Sequence, residues 1–306
     1  MMLDRRLAAG VATLPATLRD GCRSSVLHHQ TADGGFRGRA GEADDWYTVF
    51  AVRTMALTGG ADVALRRTAA WVGRRTAAPA TAADAASRIQ AALLLNLLGL
   101  PTPLATAPLT TVLGSTSGIS AGLLAADAWT CLGRRPPDPA PLCALQDAEG
   151  GFAEFPGEDP QTNATAAALV RLGRTLPDGD RAKTIAWLVT RQGADGGMLA
   201  HAAAPAGDLL STFVTTWALR DQLGVLRLGE LARFVQACRA GDGFGACPGD
   251  TGSDPEFTCY GLGLLGLLAT HAGHRGGLPA PPGRRRFSAL LLAWPPTRSL
   301  GWRLLR

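Results

Sequence analysis

Lysine is almost missing from this chain: Lys183 is the single one among 30 basic side chains, the rest being Arg. Charged residues of either sign make up only 18% of the 306 residues against 46% apolar ones, a balance that excludes a disordered chain. No run of about 18 apolar residues occurs, so no membrane-spanning helix is expected. The opening residues hold no uninterrupted apolar core of signal-peptide length, and the expected location is the cytoplasm. Cys22, Cys131, Cys143, Cys238, Cys247 and Cys259 show no C-x-x-C spacing, in a chain long enough to bury a core without disulfide staples; they are expected to be reduced, small hydrophobes. The histidines form no H-x-x-x-H pair, and no glycine motif fits a P-loop or a dinucleotide site.

Positive charge is also missing from most of the chain. The net charge of +5 comes from the last 23 residues, where Arg284, Arg285, Arg286, Arg298, Arg303 and Arg306 face no acidic residue. The remaining body is near neutral, which argues against a nucleic-acid partner, since that needs a basic face to neutralise phosphates. Residues 279–306 read as a separate basic tail carrying Phe287, Trp294 and Trp302. It suits either peripheral contact with an anionic membrane or a packed or disordered extension, because Pro295 and Pro296 break any long amphipathic helix.

What the chain does have is a repeated turn. "QTADGGF" at Gln30 returns as "QDAEGGF" at Gln146, "QGADGGM" at Gln192 and an eroded "RAGDGFG" at Arg239. The acids Asp33, Glu149, Asp195 and Asp242 are 116, 46 and 47 residues apart, so the first gap is about two and a half periods and predicts two units that have lost the signature. A one-faced apolar pattern precedes each copy, as in "RAKTIAWLVTRQ" with Ile185, Leu188, Val189 and Gln192 on one side. A segment apolar nearly all round follows: "DDWYTVFAVRTMAL", "QTNATAAALVRLG", "DLLSTFVTTWAL" and "DPEFTCYGLGLLGLL". That alternation predicts α-hairpins whose first helix is half-exposed and whose second is buried. Paired glycines permit positive φ and close approach, the acid bonds nearby amides and the aromatic enters the core. Asp45, Asp208 and Asp254 are expected at the starts of the buried helices, as caps. The unmarked stretch 76–133 keeps the same texture in "DAASRIQAALLLNLLG" and "GISAGLLAADAWTCLG", giving five or six hairpins in all.

This period and turn resemble the repeat shared by protein prenyltransferase β subunits and the squalene-hopene and related terpene cyclases, over Val26 to Leu268. "QTNATAAALVRL" and "DLLSTF" are similar to short bacterial proteins of the prenyltransferase/squalene-oxidase repeat type. The resemblance implies an all-α fold, an α/α toroid over residues 1–278 whose inner helices surround an apolar cavity holding an isoprenoid. It also implies a helical-repeat partner subunit of the kind β subunits pair with, although no residue here identifies one.

Two chemistries come with the resemblance. Protein prenyltransferases hold zinc through Asp, Cys and His; here Asp208 matches the Asp while Leu210 and Phe257 stand at the Cys and His positions, so no zinc cofactor is expected unless Cys259 or His201 substitutes. The basic diphosphate clamp is replaced by "HAAAPAG", leaving Arg37 and Arg39 as the cations that would have to reach inward. Class II terpene cyclases carry D-x-D-D at an inner helix start, and "EADDWYT" offers Glu42, Asp44 and Asp45 as proton-donor candidates, since adjacent poorly solvated carboxylates raise one another's pKa. The catalytic candidates are therefore Asp45, Asp44, Glu42 and Asp208. The aromatics Trp46, Tyr47, Phe213, Trp217, Phe257 and Tyr260 are candidates for lining an isoprenoid pocket, where their π faces can stabilise carbocations. Prenyl transfer without the usual zinc site, proton-initiated cyclisation, and a non-catalytic lipid-binding or scaffold toroid all remain open at this point.

Overall fold

The computed structural model describes residues 5–60 and 62–276; the basic tail expected over 279–306 lies outside them. In chain order the α-helices are α1 (Arg5–Thr13), α2 (Ala16–Leu27), α3 (Asp45–Thr58), α4 (Asp62–Arg74), α5 (Ala82–Leu97), α6 (Thr106–Gly114), α7 (Ile119–Cys131), α8 (Thr162–Leu172), α9 (Asp178–Thr190), α10 (Leu209–Ala218), α11 (Leu228–Ala237) and α12 (Pro255–Gly276). Six of these, α3, α5, α7, α8, α10 and α12, pack each against the next, and α12 returns to α3. The result is a closed inner ring. Helices α2, α4, α6, α9 and α11 form the outer layer, and a short 3-10 turn at Ala140–Leu145 takes the outer position before α8.

Burial follows the sequence pattern. In α3 every residue from Thr48 to Thr58 is buried, whereas α11 buries Leu231, Phe234 and Val235 along one side. A helix covered on both faces must be apolar all round, and an outer one needs a single stripe.

The repeated turn is a clamp between successive hairpins. Gln30 Nε2 donates to Ala64 O (3.0 Å) and to Thr68 Oγ1 (3.2 Å) on α4. Gln146 Nε2 reaches Thr184 Oγ1 (2.9 Å) on α9, and Gln192 is bonded to both main-chain groups of Arg227, at the start of α11. The first glycine of each pair has φ near +100° (Gly34 +103°, Gly150 +101°, Gly196 +91°), where side chains are strained. At the second glycine a Cβ would lie 2.5–2.6 Å from the ring of Trp71, Trp187 or Phe234 on that same next outer helix. Phe36, Phe152, Met198 and Phe244 are fully buried, and their N–H groups donate to Thr48, Thr165, Thr212 and Thr258 on the inner helices. In the second copy the exposed Glu149 leaves the amide-binding role to Asp147, which accepts from the N–H groups of Glu149, Gly150 and Gly151.

The unmarked stretch supplies two inner helices, α5 and α7, without this clamp. Here buried polar bonds hold the ring. Arg88 of α5 donates to Asp45 of α3 (2.7 Å), both side chains being almost wholly buried, and Glu154 accepts from the Ser120 N–H (3.0 Å) and Oγ (2.7 Å) at the start of α7. The seam between last and first hairpins is closed by Arg39, bonded to Asp250 (3.0 Å) and Asp254 (3.3 Å), and by Trp46 Nε1 donating to Glu256 (3.0 Å). Helix α1 lies against α12 so closely that a Cβ on Gly10 would fall 1.8 Å from Gly266 O. No helix among the described residues is long and apolar enough to cross a membrane.

Candidate functional site

The inner ring encloses a cavity of about 220 Å³ to which all six inner helices contribute. Four of them do so with the same spacing: Trp46, Val49, Phe50 and Arg53 on α3; Ser120, Leu123, Leu124 and Asp127 on α7; Asn163, Ala166, Ala167 and Val170 on α8; Leu210, Phe213, Val214 and Trp217 on α10. Positions i, i+3, i+4 and i+7 form one helical stripe of two turns, about 10 Å long. Ser87 and Gln90 on α5 and Tyr260 on α12 complete the wall.

Two sides of this wall differ in chemistry. Over α3, α12 and α10 it is aromatic: Trp46 meets Phe50 edge-on (5.1 Å), Phe50 meets Tyr260 (5.1 Å) and Tyr260 stacks on Phe213 (4.9 Å). Over α5 and α7 it carries the polar Ser87, Gln90, Ser120 and Asp127. Arg53 is buried, donates to Gln90 Oε1 and lies over the Phe50 ring (5.0 Å). Burial pulls its pKa down.

The expected site residues divide. Trp46, Phe213, Trp217 and Tyr260 line the cavity, while Tyr47 packs against Gly38 and Phe257 sits beside Arg39 and Tyr260. None of the acidic candidates lines it. Glu42 is exposed in the loop. Asp44, not Asp45, caps α3, accepting from the Tyr47 N–H (2.7 Å); burial pushes its carboxyl up, opposed by that bond. Asp45 falls in the first turn and points outward into the α3–α5 junction, where Arg88 and Arg75 both hold it. Such a commitment to two guanidiniums suits a structural tie better than proton donation. Asp208 caps α10 through the Ser211 N–H (2.7 Å), and Asp254 caps α12 through the Phe257 N–H (2.9 Å), as expected.

The carboxyl nearest the aromatic wall is one the sequence reading passed over. Glu256 accepts from Trp46 Nε1 and from Tyr260 Oη (3.2 Å), and burial pushes its pKa up against those two bonds. Phe50, Arg53 and Gln90 were also missed, although the stripe beginning at Trp46 points to the first two.

The positions that the resemblance assigns to zinc do not fit the ion. Asp208 is used as a cap, Leu210 faces the cavity, Phe257 offers no donor atom, and no group of three His, Cys, Asp or Glu side chains converges among the described residues. Arg37 is exposed, and Arg39 is spent on Asp250 and Asp254.

Comparison with known proteins agrees with this architecture. The family model described as the prenyltransferase alpha-alpha toroid domain matches residues 6–82 and 140–274. A protein geranylgeranyltransferase-I from Candida albicans, complexed with GGPP, is similar in structure at 12% identity, covering 81% of this chain and 92% of its own with a TM-score of 0.56. A type II terpene cyclase from Scytonema, complexed with its product merosterolic acid A, is similar at 13% identity, covering 89% and 99%, with a TM-score of 0.56. A glycosidase in complex with glucose is similar at 15% identity over 90% and 100%, with a TM-score of 0.59. Likeness at these identities speaks for the fold alone. No curated protein is significantly similar in sequence.

Proposed function

Because the chain belongs to the prenyltransferase alpha-alpha toroid family, we propose that its central cavity takes an isoprenoid or a closely similar lipid, and that the protein carries out prenyl transfer or related isoprenoid chemistry without a zinc site. The observation that carries this reading is the aromatic wall. Trp46, Phe50, Tyr260, Phe213 and Trp217 offer an extended apolar surface, and their π faces suit an allylic chain that develops positive charge. A scaffold toroid would fill its centre with side chains, as protein interiors do, so the cavity favours a binding role.

Proton-initiated cyclisation is the second reading, and one contact favours it. Glu256 is pushed up by burial and, although it does not itself line the cavity, it is bonded to two residues that do, Trp46 and Tyr260, as none of Glu42, Asp44 and Asp45 is.

The test is purification of the full chain, solvent extraction and mass spectrometry, followed by incubation with farnesyl and geranylgeranyl diphosphate. We expect about one isoprenoid per chain, and weaker retention in Phe213→Ala and Trp217→Ala. A chain that neither yields a lipid nor takes one up would overturn the binding reading. Recovery of every ligand unchanged would leave lipid binding but remove the enzyme.

A further inference from the structure

The buried cation at one end of the cavity has no counterion among the described residues. Among the described residues Arg53 forms no ion pair with a carboxylate, its hydrogen bond goes to the neutral Gln90, and its Nε has no partner. Gln90 Nε2 has none either. Both unmatched atoms are N–H donors, so what is missing is an acceptor. The titratable groups that bear on Arg53 are the Cys259 and Cys131 thiols and the Tyr260 phenol, each pushed by burial towards its neutral form. Asp127 also lines the cavity, from α7, and is not among them. A guanidinium is one of the groups least often buried without a partner, because removing its charge from water is not offset by packing. Here it is buried, and it opens onto a cavity with aromatic walls.

We propose that Arg53 and Gln90 bind the anionic head group of the cavity's ligand, so that the ligand is an amphiphile ending in a compact oxyanion, a carboxylate or a phosphate. Its hydrocarbon chain runs along the wall past Phe50 towards Trp46, which is about 10 Å from Arg53 by the rise of α3. The planar guanidinium presents paired donors that match two oxyanion oxygens, and the low-dielectric surroundings strengthen that pairing. This inference rests on the reading that the cavity takes a lipid, and adds which lipids it prefers.

Tryptophan fluorescence can test it, since Trp46 and Trp217 line the cavity. The full chain would be titrated with farnesol, farnesoic acid and farnesyl phosphate, in wild type, Arg53→Lys and Arg53→Met. Wild type should prefer one or both anions over farnesol by about tenfold or more, as expected for a desolvated, charge-assisted pair. Whichever anion binds tighter identifies the head group. Arg53→Met should lose the preference, with anion affinity falling far more than farnesol affinity, and Arg53→Lys should keep part of it. Thermal melting checks the fold, and Arg53→Met should melt no lower than wild type, since a buried charge without a partner has been removed. Equal binding of alcohol and anions, or an anion preference that survives in Arg53→Met, would sink the proposal while leaving the lipid cavity standing. Failure of all three probes to bind would take both down.

Discussion

Set side by side, the repeat-marked arc of the ring (α3, α8, α10 and α12) and the unmarked arc (α5 and α7) reach the same geometry by different means. In the marked arc the first three turns each clamp the following outer helix through a glutamine, a strained glycine and an aromatic contact. In the unmarked arc the α3–α5 junction depends on the buried Asp45–Arg88 pair, and α7 is started by Glu154 from a distant loop. The family model matches the first arc and passes over 83–139, which contains nearly all of the second. The polar groups of the cavity come from both arcs: Ser87, Gln90, Ser120 and Asp127 from the second, Arg53 and Asn163 from the first. The helices that the family model passes over are held by other bonds and still supply four polar groups to the cavity.

The largest break should come at the unmarked junction. Arg88→Leu leaves Asp45 buried with only the partly exposed Arg75, and should cost about 3–5 kcal/mol in urea denaturation, the range for a broken buried pair. Replacing both partners, Asp45→Asn with Arg88→Met, should recover much of that loss. The marked arc should yield less per site. Gly151→Ala drives a methyl into Trp187 and Pro160 and should cost about 1–3 kcal/mol, the range for overpacking. Gln146→Ala removes the bonds to Thr184 and Asp180 and should cost about 1 kcal/mol. If Gln146→Ala proves as damaging as Arg88→Leu, the contrast between the arcs is wrong.

The smallest effect concerns the seam and is read against pH. Asp250 is lowered to about 2, chiefly by the Arg39 hydrogen bond and then by the Ala246 N–H. Because the folded state favours its ionised form, its contribution to stability is complete above the ordinary value of 3.8 and is lost as pH falls through about 2. The gap in melting temperature between wild type and Asp250→Asn should therefore narrow on acidification from pH 5 to about pH 2. A constant gap would show that Arg39 contributes packing and no charge.

Much of the fold was legible because the clamp has no freedom of composition. Only glycine adopts the φ of Gly34, Gly150 and Gly196, and only a missing Cβ admits the Trp71, Trp187 and Phe234 rings, so the turn must be spelled the same way each time. Helices α5 and α7 could still be read by texture, since inner helices are apolar all round wherever they occur. The site was harder. Of the aromatic candidates on α3 and α10, Trp46, Phe213 and Trp217 line the cavity and Tyr47 does not; the acidic ones were judged by motif, and the capping role expected of Asp45 went to Asp44. A one-residue shift around the start of a helix turns a side chain by about 100°, enough to send a carboxylate from the cavity side to the α3–α5 junction. Arg53 was invisible for another reason: inside "VFAVRTMAL" a lone arginine reads as a helix-surface charge until the ring is known to close around it.

The contact of α1 with α12 has a consequence in time. Gly10 and Gly266 touch across 256 residues of chain, and at about 5–20 residues per second of synthesis, α1 waits on the order of 10 to 50 seconds for its partner to emerge. During that interval the face carrying Leu7 and Val11, buried in the finished ring, has no α12 to lie against. Until α12 is made the inner ring lacks its last member, and the apolar side of α1 is open to other chains.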